Sequence, residues 1–284
     1  MELTIFNRDI LRLIDKNDEL EKISSGFTFV EGPVFVKGVQ YFTDFMVNKI
    51  YKYEKSNNKI TLVDDNSHYS IGMTYDPIKD RILRCTRDLR SITDMDGNVI
   101  VHEYKGVPIN GSNDIIVDSK GRIFFTDPLT RKIEGPQVGH SSVFMFDEGK
   151  QELTLLEKTK TLPFPNGLAL SPDETILYII DTRHLAIYAM DLAGGNMELF
   201  VRMDQSQGEG GPDGMRLDKE GNIYSTGPGG IWIITPAGEA LGIIKMPEFA
   251  ANLCFDDTGI FITASTSIYH VKTKIQGNKN DNHN

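Results

Sequence analysis

Cysteine is scarce in this sequence, with two residues among 284. Cys85 and Cys254 each lie inside an apolar run, where a small buried hydrophobic residue is expected. Two thiols are too few for a disulfide framework or a thiolate metal site. The sequence therefore excludes both and leaves oxygen as the donor for any metal that the protein binds.

Positive charge and long apolar runs are also lacking. The chain carries 40 acidic and 30 basic residues, a net charge of −10, whereas nucleic acids and anionic membranes favour basic surfaces. No window approaches the roughly 18 consecutive apolar residues of a membrane span. Met1–Leu20 mixes charged and apolar residues and has no signal-peptide cleavage pattern. We expect a cytoplasmic protein that binds neither nucleic acid nor membranes, and the sequence carries no signal for the oligomeric state.

Glycine and proline are abundant and evenly spread, with 26 and 12 residues, which is typical of many short strands joined by regular turns. One pattern recurs six times: a β-branched residue, then a large residue, then a short run ending in a polar residue. About twenty residues before most copies, two apolar strands flank a Gly- or Asp-containing turn, as expected for a hairpin. Five copies begin at Ile50, Val143, Ile187, Ile231 and Ile268, and a weaker sixth copy begins at Ser91.

A further β-rich run follows each of the first five copies, which makes four strands in each repeat. Six such repeats predict an all-β fold, a six-bladed β-propeller with four-stranded blades. The sixth outer strand is missing after Val271, and Leu20–Ser24 is placed to supply it and so to close the ring. A two-sheet sandwich is the alternative, but it does not explain six copies of one strand order.

These patterns predict three parts of the chain. Residues 1–19 form an N-terminal extension with at most a short helix, and residues 20–272 form the propeller. Residues 273–284 form a polar tail, Gly277–Asn284 being the most polar part, that we expect to be disordered.

Polar residues recur where the inner strands of the predicted blades begin. Inner strands line the central channel of a propeller, so these residues meet at one mouth, and their intervals are 40, 42, 53, 47 and 39 residues. We call this set the axial ring: Glu31, Ile71, Asn113, Asn166, Asp213 and Asn252.

The composition of the axial ring favours a metal site. A single Asn-Gly or Asp-Gly pair is more often a turn, but Glu31, Asn113, Asn166 and Asp213 share one register of the repeat. Two carboxylates buried together would repel each other and lose their hydration, and a divalent cation offsets both costs. With neither His nor Cys in the ring, the donors suit a hard ion such as Ca²⁺.

The same residues carry a family resemblance. Motifs at the axial ring resemble those of the SMP-30/gluconolactonase family, and two later motifs resemble its gluconolactonase branch. The match runs from about Ile23 to Val271. The family motifs are Glu31–Val34, Asn110–Asp114, Phe125–Pro128, Pro165–Ala169, Ser171–Glu174 and Gly211–Met215, and the branch motifs are Gly227–Trp232 and Ile262–Tyr269.

The resemblance implies a six-bladed propeller that hydrolyses lactones with one divalent metal ion, usually Ca²⁺ and exchangeable with Zn²⁺, Mg²⁺ or Mn²⁺. It implies that Glu31, Asn166 and Asp213 are metal ligands. Asn113 would be a fourth ligand or a substrate contact, and we expect Asn110 and Asn252 to contact the substrate as well.

Three positions depart from the family pattern. Ile71 replaces a polar residue, Arg87 stands where many relatives have His, and Pro128-Leu129-Thr130 replaces Pro-Pro-Tyr. All three fall near the predicted mouth, so they bear on the substrate.

The sequence also lacks other hydrolase machinery, since it has no Gly-x-Ser-x-Gly elbow and no His-Glu-x-x-His helix. A metal with open positions removes the need for a serine nucleophile, and Asp213 is the candidate catalytic residue, as ligand, base or both. We expect a small-molecule substrate, a sugar lactone such as D-glucono-1,5-lactone. The alternatives are a promiscuous esterase or organophosphate hydrolase, and a Ca²⁺-stabilised binding module without activity.

Histidine and arginine side chains near the mouth have open roles. His68, His140 and His184 fall in predicted loops there, where a surface or turn role is more common than catalysis. Solvated surface positions are likewise the common role of Arg131 and Arg183, although a substrate hydroxyl or carboxylate would suit them, and the role of Arg87 is open. The other three histidines lie on outer strands or in the tail, and we expect no part for them: His102, His270 and His283.

Overall fold

The computed structural model describes residues 1–130, 135–158 and 161–279. Arg131, His283 and the last five residues of the predicted tail lie outside this range. The chain begins with strand β1 (Leu3–Ile5), helix α1 (Ile10–Leu13) and strand β2 (Glu21–Ser25). After these elements the described chain is built from short antiparallel strands.

Six sheets confirm the predicted propeller. Blades one to five each have four consecutive strands that run outward from the axis, and blade six has three such strands, completed by β2. A two-stranded hairpin (β11 and β12) separates the second blade from the third. The strands are β3 (Val30–Val36), β4 (Val39–Asp44), β5 (Lys49–Glu54) and β6 (Lys59–Asp64) in blade one; β7 (Ser70–Asp76), β8 (Arg81–Thr86), β9 (Ser91–Asp94) and β10 (Val99–Val101) in blade two; β11 (Glu103–Tyr104) and β12 (Val107–Pro108) in the hairpin; β13 (Ile115–Val117), β14 (Ile123–Asp127), β15 (Ser142–Asp147) and β16 (Glu152–Lys158) in blade three; β17 (Pro165–Leu170), β18 (Ile176–Asp181), β19 (Ala186–Asp191) and β20 (Met197–Arg202) in blade four; β21 (Met215–Leu217), β22 (Ile223–Gly227), β23 (Gly230–Ile234) and β24 (Ala240–Lys245) in blade five; and β25 (Ala250–Phe255), β26 (Gly259–Ala264) and β27 (Ser267–Lys272) in blade six.

The N-terminal strand β2 closes the ring, as the sequence predicts. It pairs antiparallel with β27, with Glu21 opposite His270 and Ser25 opposite Ser267. Blade six therefore joins both ends of the propeller and leaves its last strand paired.

Upstream of β2, the chain adds a strand that the sequence does not predict. Strand β1 pairs with β24 and makes blade five a five-stranded sheet. A side chain at Gly242 would overlap the backbone of Thr4, so the glycine allows this close approach. Ile10 and Ile14 are fully buried beside β1 and pack into the core between blades five and six.

At the other end of the molecule, the C-terminal segment lies across the lower ends of three inner strands. The Asn278 N–H donates to the carbonyl of Leu217 in blade five (2.8 Å), and its side chain donates to Leu170 in blade four (3.4 Å). Gly277 lies against Phe255 of blade six, where a Cβ would be 2.5 Å from the Phe255 Cβ. The described part of the predicted tail is thus packed as far as Asn278, which is buried.

The hydrophobic core lies mainly between neighbouring blades. Inner strands such as β3, β7 and β25 are buried along their whole length. Aromatic rings cross the interfaces, as with Tyr224 of blade five and Phe255 of blade six, whose centroids are 5.0 Å apart. Both cysteines are buried, as expected from their apolar neighbours. In the described ranges, no helix has the length and apolar character needed to cross a membrane.

Candidate active site at the propeller axis

The inner strands lose regular pairing where they reach the axial ring. In blades one, two, four and six the register shifts at or beside the ring residue, for example between Glu31 and Val34. In blades three and five the paired strand begins only after it, at Ile115 and Met215. Bulges of this kind change the direction of side chains. At the mouth, the side chains of the ring residues therefore do not follow the alternation between the two faces of the strand.

Glycine follows the ring residue in four blades and touches the next blade. A Cβ at any of these positions would overlap that blade, and three of the glycine N–H groups donate to it across the interface. The Asn-Gly and Asp-Gly pairs therefore serve close approach rather than a turn. These glycines are Gly32, Gly72, Gly167 and Gly214.

Glu31 is buried at the axis, with 4% of its surface exposed. Its Oε2 accepts hydrogen bonds from the Gly32 N–H (2.7 Å) and the Asn252 side chain (3.2 Å). Burial raises the pKa of Glu31 to about 7, and the negative charge of Asp114 adds to the effect. A nearby cation would reverse both influences.

Asp213 lies on the segment that leads into β21, close enough to Glu31 for the two charges to interact. Its backbone N–H donates to the Thr226 hydroxyl at 2.7 Å, which fixes the residue before the strand begins. Desolvation raises its pKa well above the ordinary value, and the charges of Glu31 and Asp114 raise it further. The two ring carboxylates thus destabilise each other's ionised form.

Asn166 contributes an amide oxygen without a hydrogen-bond partner. The side chain is 4% exposed, and its Nδ2 donates to the Thr182 hydroxyl (2.9 Å), which in turn donates to the Pro212 carbonyl (2.8 Å). With Nδ2 engaged, Oδ1 is buried and accepts no hydrogen bond from the described residues. Buried acceptors are almost always satisfied, so this oxygen indicates a missing cation or donor.

Two buried charged residues next to the ring motifs are absent from the sequence-based site. Asp114 and Arg216 are 1% and 4% exposed, and their Oδ2 and Nη1 atoms are 3.7 Å apart. Arg216 also donates to the Met215 carbonyl at 2.7 Å. The available signal was an arginine inside an inner strand that is otherwise apolar, Met215–Leu217.

Charge at the axis is unbalanced among the described residues. Glu31, Asp114 and Asp213 bring three carboxylates, and Arg216 brings one guanidinium. Burial is the largest cause of the raised pKa at Asp114 too, and the Arg216 charge only partly offsets it. With all three carboxylates ionised, the site has two more negative than positive charges, which a divalent cation would neutralise.

The donors fit a hard ion. No group of three His, Cys, Asp or Glu side chains in the described ranges has a metal-binding arrangement. A cation here would therefore need the amide oxygen of Asn166 beside the carboxylates of Glu31 and Asp213. An all-oxygen set of this kind is what Ca²⁺ prefers.

The remaining predicted site residues differ in their surroundings. Asn113 is half-buried at the ring, and its carbonyl accepts the Gly72 N–H at 2.8 Å. Asn252 is 3% exposed and holds Glu31 with its amide nitrogen, while its oxygen accepts the Leu253 N–H (2.9 Å). Ile71 is the apolar member of the ring and is buried.

Asn110 lies in the loop before β13, and both ends of its amide bond other loops. The nitrogen donates to the carbonyls of Asp127 (3.1 Å) and His140 (2.8 Å). The oxygen accepts the Gly139 N–H at 3.1 Å. The structure therefore uses this side chain to order the loop beside the mouth.

Aspartates at the ends of the second strands anchor the loops that lead to the ring. Asp44 accepts the N–H groups of Thr28 and Phe29, and Asp127 accepts those of Asn110 and Gly111 at 2.8 and 2.9 Å. Burial raises the pKa of Asp127 to about 7. Sequence reasoning missed this role, although the apolar run ending in Thr-Asp recurs in blades one and three.

The histidines near the mouth are engaged with neighbouring groups. His184 pairs with the buried Asp181 at 2.7 Å, and His140 is 2.8 Å from the Ser142 hydroxyl. His68 lies 3.7 Å from Asp88. These contacts agree with loop and turn roles.

Fold and site together define a six-bladed propeller with an oxygen-donor site at one end of its axis. The family model described as SMP-30/Gluconolactonase/LRE-like region matches residues 29–266. The chain therefore belongs to this family, which confirms the resemblance carried by the ring motifs.

Similar proteins extend over nearly the whole chain. A gluconolactonase from Zymomonas mobilis is 31% identical over 97% of this chain and 87% of its own. The structure of a gluconolactonase from Xanthomonas campestris superposes with a TM-score of 0.88 at 25% identity, covering 96% of this chain and 95% of that one. Regucalcin from Agrobacterium tumefaciens, a calcium-binding protein, shares the fold with a TM-score of 0.75 at 16% identity, covering 94% and 98%.

Proposed function

We propose that this protein is a metal-dependent lactonase that opens the ring of a sugar lactone. The gluconolactonase relative, which matches nearly the full length of both chains, supports a hydrolase acting on carboxylic ester bonds. The unpartnered Asn166 oxygen beside two carboxylates of raised pKa is the observation that carries the metal dependence. A cytoplasmic location is part of this proposal.

Glu31, Asn166 and Asp213 would hold the divalent ion, with Ca²⁺ as the first candidate. When bound, such an ion polarises a carbonyl oxygen and lowers the pKa of water, which is the chemistry that ester hydrolysis requires. Asn252 acts through Glu31, because its amide nitrogen fixes the orientation of that carboxylate. The positive charge of Arg216 partly offsets the effect of burial on Glu31 and lowers the pKa of that carboxyl group.

Asp213 is the candidate general base. A carboxylate that holds a metal ion can keep one oxygen free, and that oxygen would accept a proton from the attacking water. Asn113, which is half-buried at the mouth, would orient the lactone. Asn110 orders the adjoining loop through its contacts with Gly139 and His140.

A pH-stat assay of the purified protein against a lactone panel tests the proposal. We expect D-glucono-1,5-lactone or a related aldonolactone to open faster than in buffer, and EDTA to abolish the excess rate. Asp213→Ala should reduce the rate of lactone hydrolysis by on the order of 10²–10⁴-fold. Asp96→Ala, at an exposed turn, is the matched control and should behave as wild type.

Other outcomes point to different functions. Uncatalysed rates on every lactone would overturn the proposal. Turnover of aryl esters or phosphotriesters alone would favour a promiscuous esterase, and stabilisation by Ca²⁺ without any turnover would favour a binding module.

A further inference from the structure

An open cavity of about 470 Å³ lies beside the axial mouth, between the loops of blades one and two. Its walls come from the segment after β4 and from the two segments that flank β7 and β8. The lining residues are Phe45, Met46, Tyr69, Arg87 and Asp88.

The cavity adjoins the axial ring at two positions. Tyr69 precedes the ring residue Ile71 by two positions. Arg87 lies against Gly111, two residues before Asn113, where a Cβ would be 3.4 Å from the Arg87 side chain. Ile71 is the ring residue without a side-chain oxygen, so the ring is apolar on the side that faces this sector of the mouth.

The cavity exposes large apolar side chains. Met46 and Tyr69 are 57% and 43% exposed. The rings of Phe45 and Tyr69 meet edge to face, with centroids 6.1 Å apart and planes at 72°. Exposed apolar groups gathered in a concave surface are typical of binding sites.

The backbone that presents Tyr69 is strained. His68 and Tyr69 both adopt left-handed conformations, with φ of +55° and +51°, which are uncommon for residues other than glycine. Asn48 holds the segment, because its side-chain oxygen accepts the Tyr69 N–H at 2.6 Å and the Ser67 hydroxyl at 3.1 Å. Strain that is maintained by such contacts is concentrated at functional sites.

The charged groups in the cavity are engaged with protein partners. The Arg87 guanidinium donates to the Thr130 hydroxyl (2.6 Å) and lies 5.7 Å from the centre of the Phe45 ring. Asp88 lies 3.7 Å from the His68 imidazole. A ligand would therefore meet the aromatic and thioether surfaces together with the carboxylate of Asp88, whose side chain is 44% exposed.

We propose that this cavity binds an aromatic substituent of the substrate, so that the preferred substrate is a lactone bearing an aromatic group beside its ring. The inference rests on the proposed lactonase function and changes the preferred substrate, from an unsubstituted sugar lactone to a lactone that carries an aromatic group beside its ring. Phe45, Met46 and Tyr69 supply the apolar contacts for this substituent.

A matched pair of substrates isolates this contribution: γ-phenyl-γ-butyrolactone and unsubstituted γ-butyrolactone. We expect wild-type protein to prefer the phenyl compound in kcat/KM by at least about tenfold, the size that an apolar pocket gives. Tyr69→Ala and Met46→Ala should each reduce the preference severalfold, mainly through KM, and leave γ-butyrolactone turnover within about twofold. Ile78→Ala, an exposed apolar residue remote from the mouth, should change neither substrate.

The outcomes separate the two proposals. Hydrolysis of lactones with no phenyl preference, or with a preference that both variants retain, overturns the cavity assignment and leaves the lactonase function standing. No hydrolysis of any lactone overturns the proposed function itself. Thermal unfolding verifies that each variant is folded, and the exposed Met46 provides the test if the strained Tyr69 segment does not tolerate substitution.

Discussion

The backbone N–H of Gly167 donates a hydrogen bond to the carbonyl oxygen of Asp213, with the two atoms 2.7 Å apart. This bond joins blade four to blade five at the axial mouth, one residue after Asn166. The position of Asp213 therefore depends on the absence of a side chain at Gly167, because a Cβ there would overlap the Asp213 carbonyl.

Gly167→Ala should displace Asp213 and separate its carboxylate from Asn166. Overpacking of a buried contact costs about 1–3 kcal/mol, and we expect the free energy of unfolding in urea to fall by that amount. Activity should fall by on the order of 100-fold, because an error of 1 Å in a catalytic group has that effect. Gly149→Ala, in a turn where a Cβ would meet only Asp147 at 3.4 Å, is the control. Wild-type activity in Gly167→Ala would show that the position of Asp213 does not depend on the absence of a side chain at residue 167.

The repeat made the fold predictable. Six copies of one strand order fixed the number of blades, and the missing outer strand after Val271 indicated that Leu20–Ser24 closes the ring, as β2 does. Strand β1 escaped prediction because its place depends on Gly242, whose lack of a Cβ is informative only once β24 is in place. The packed segment around Asn278 depends in the same way on the lower ends of other blades.

At the candidate site, Glu31, Asn166 and Asp213 could be predicted to lie at one mouth because they share one position in the repeat. The bulges that re-aim them leave no mark in a pattern of alternating residues. Asp114 and Arg216 were missed because Asp114 ends one family motif and Arg216 follows another, and neither occupies a ring position. The ion pair of Asp114 and Arg216 joins blade three to blade five. The spacing of residues along the sequence does not predict a tertiary contact of this kind.

Arg216→Met should destabilise the protein by about 3–5 kcal/mol, the cost of removing one partner from a buried ion pair. The Asp114 carboxylate would remain at the axis without its cation, beside Glu31. Adding Asp114→Asn should recover part of the loss, since the second change removes the unpaired charge. Urea unfolding of the single and double variants measures the coupling.

The matched control for that experiment is the exposed pair of Arg12 and Glu220, whose charged atoms are 3.4 Å apart. Arg12→Met should cost less than about 1 kcal/mol, as solvent-exposed pairs contribute little. Equal losses in Arg12→Met and Arg216→Met would contradict a special role for the axial pair.

Ca²⁺ should stabilise the folded protein, because the proposed site at the axis exists in the native fold and not in the unfolded chain. At a free concentration of 100 times Kd the gain is about 2.7 kcal/mol, and thermal unfolding with EDTA or with excess Ca²⁺ measures it. Asn166→Leu removes the unpartnered oxygen while keeping a side chain of similar size, so its unfolding should respond much less to Ca²⁺. Asn196→Leu, at an exposed turn, should respond as wild type. A full Ca²⁺ response in Asn166→Leu would show that this oxygen is not a ligand.

Asp127 should make the stability of the protein depend on pH. Burial raises its pKa to about 7 from an ordinary 3.8. Between these two values the folded form binds more protons than the unfolded form, so the contribution of this group to stability is lost as the pH rises from about 4 to 7. Asp127→Asn does not ionise and lacks this loss. Relative to wild type, the variant should therefore gain on the order of 2 kcal/mol between pH 5.5 and pH 8.

Urea unfolding at both pH values tests the sign of this effect. The asparagine also presents an NH₂ group to the N–H donors of Asn110 and Gly111. This mismatch lowers the stability of the Asp127→Asn variant by an amount that does not change with pH. Only the difference between the two pH values therefore reports the titration. The exposed Asp96 provides the control, since Asp96→Asn should shift stability equally at both pH values. Parallel pH profiles for wild type and Asp127→Asn would mean that the carboxyl group is ionised in the folded protein already at pH 5.5.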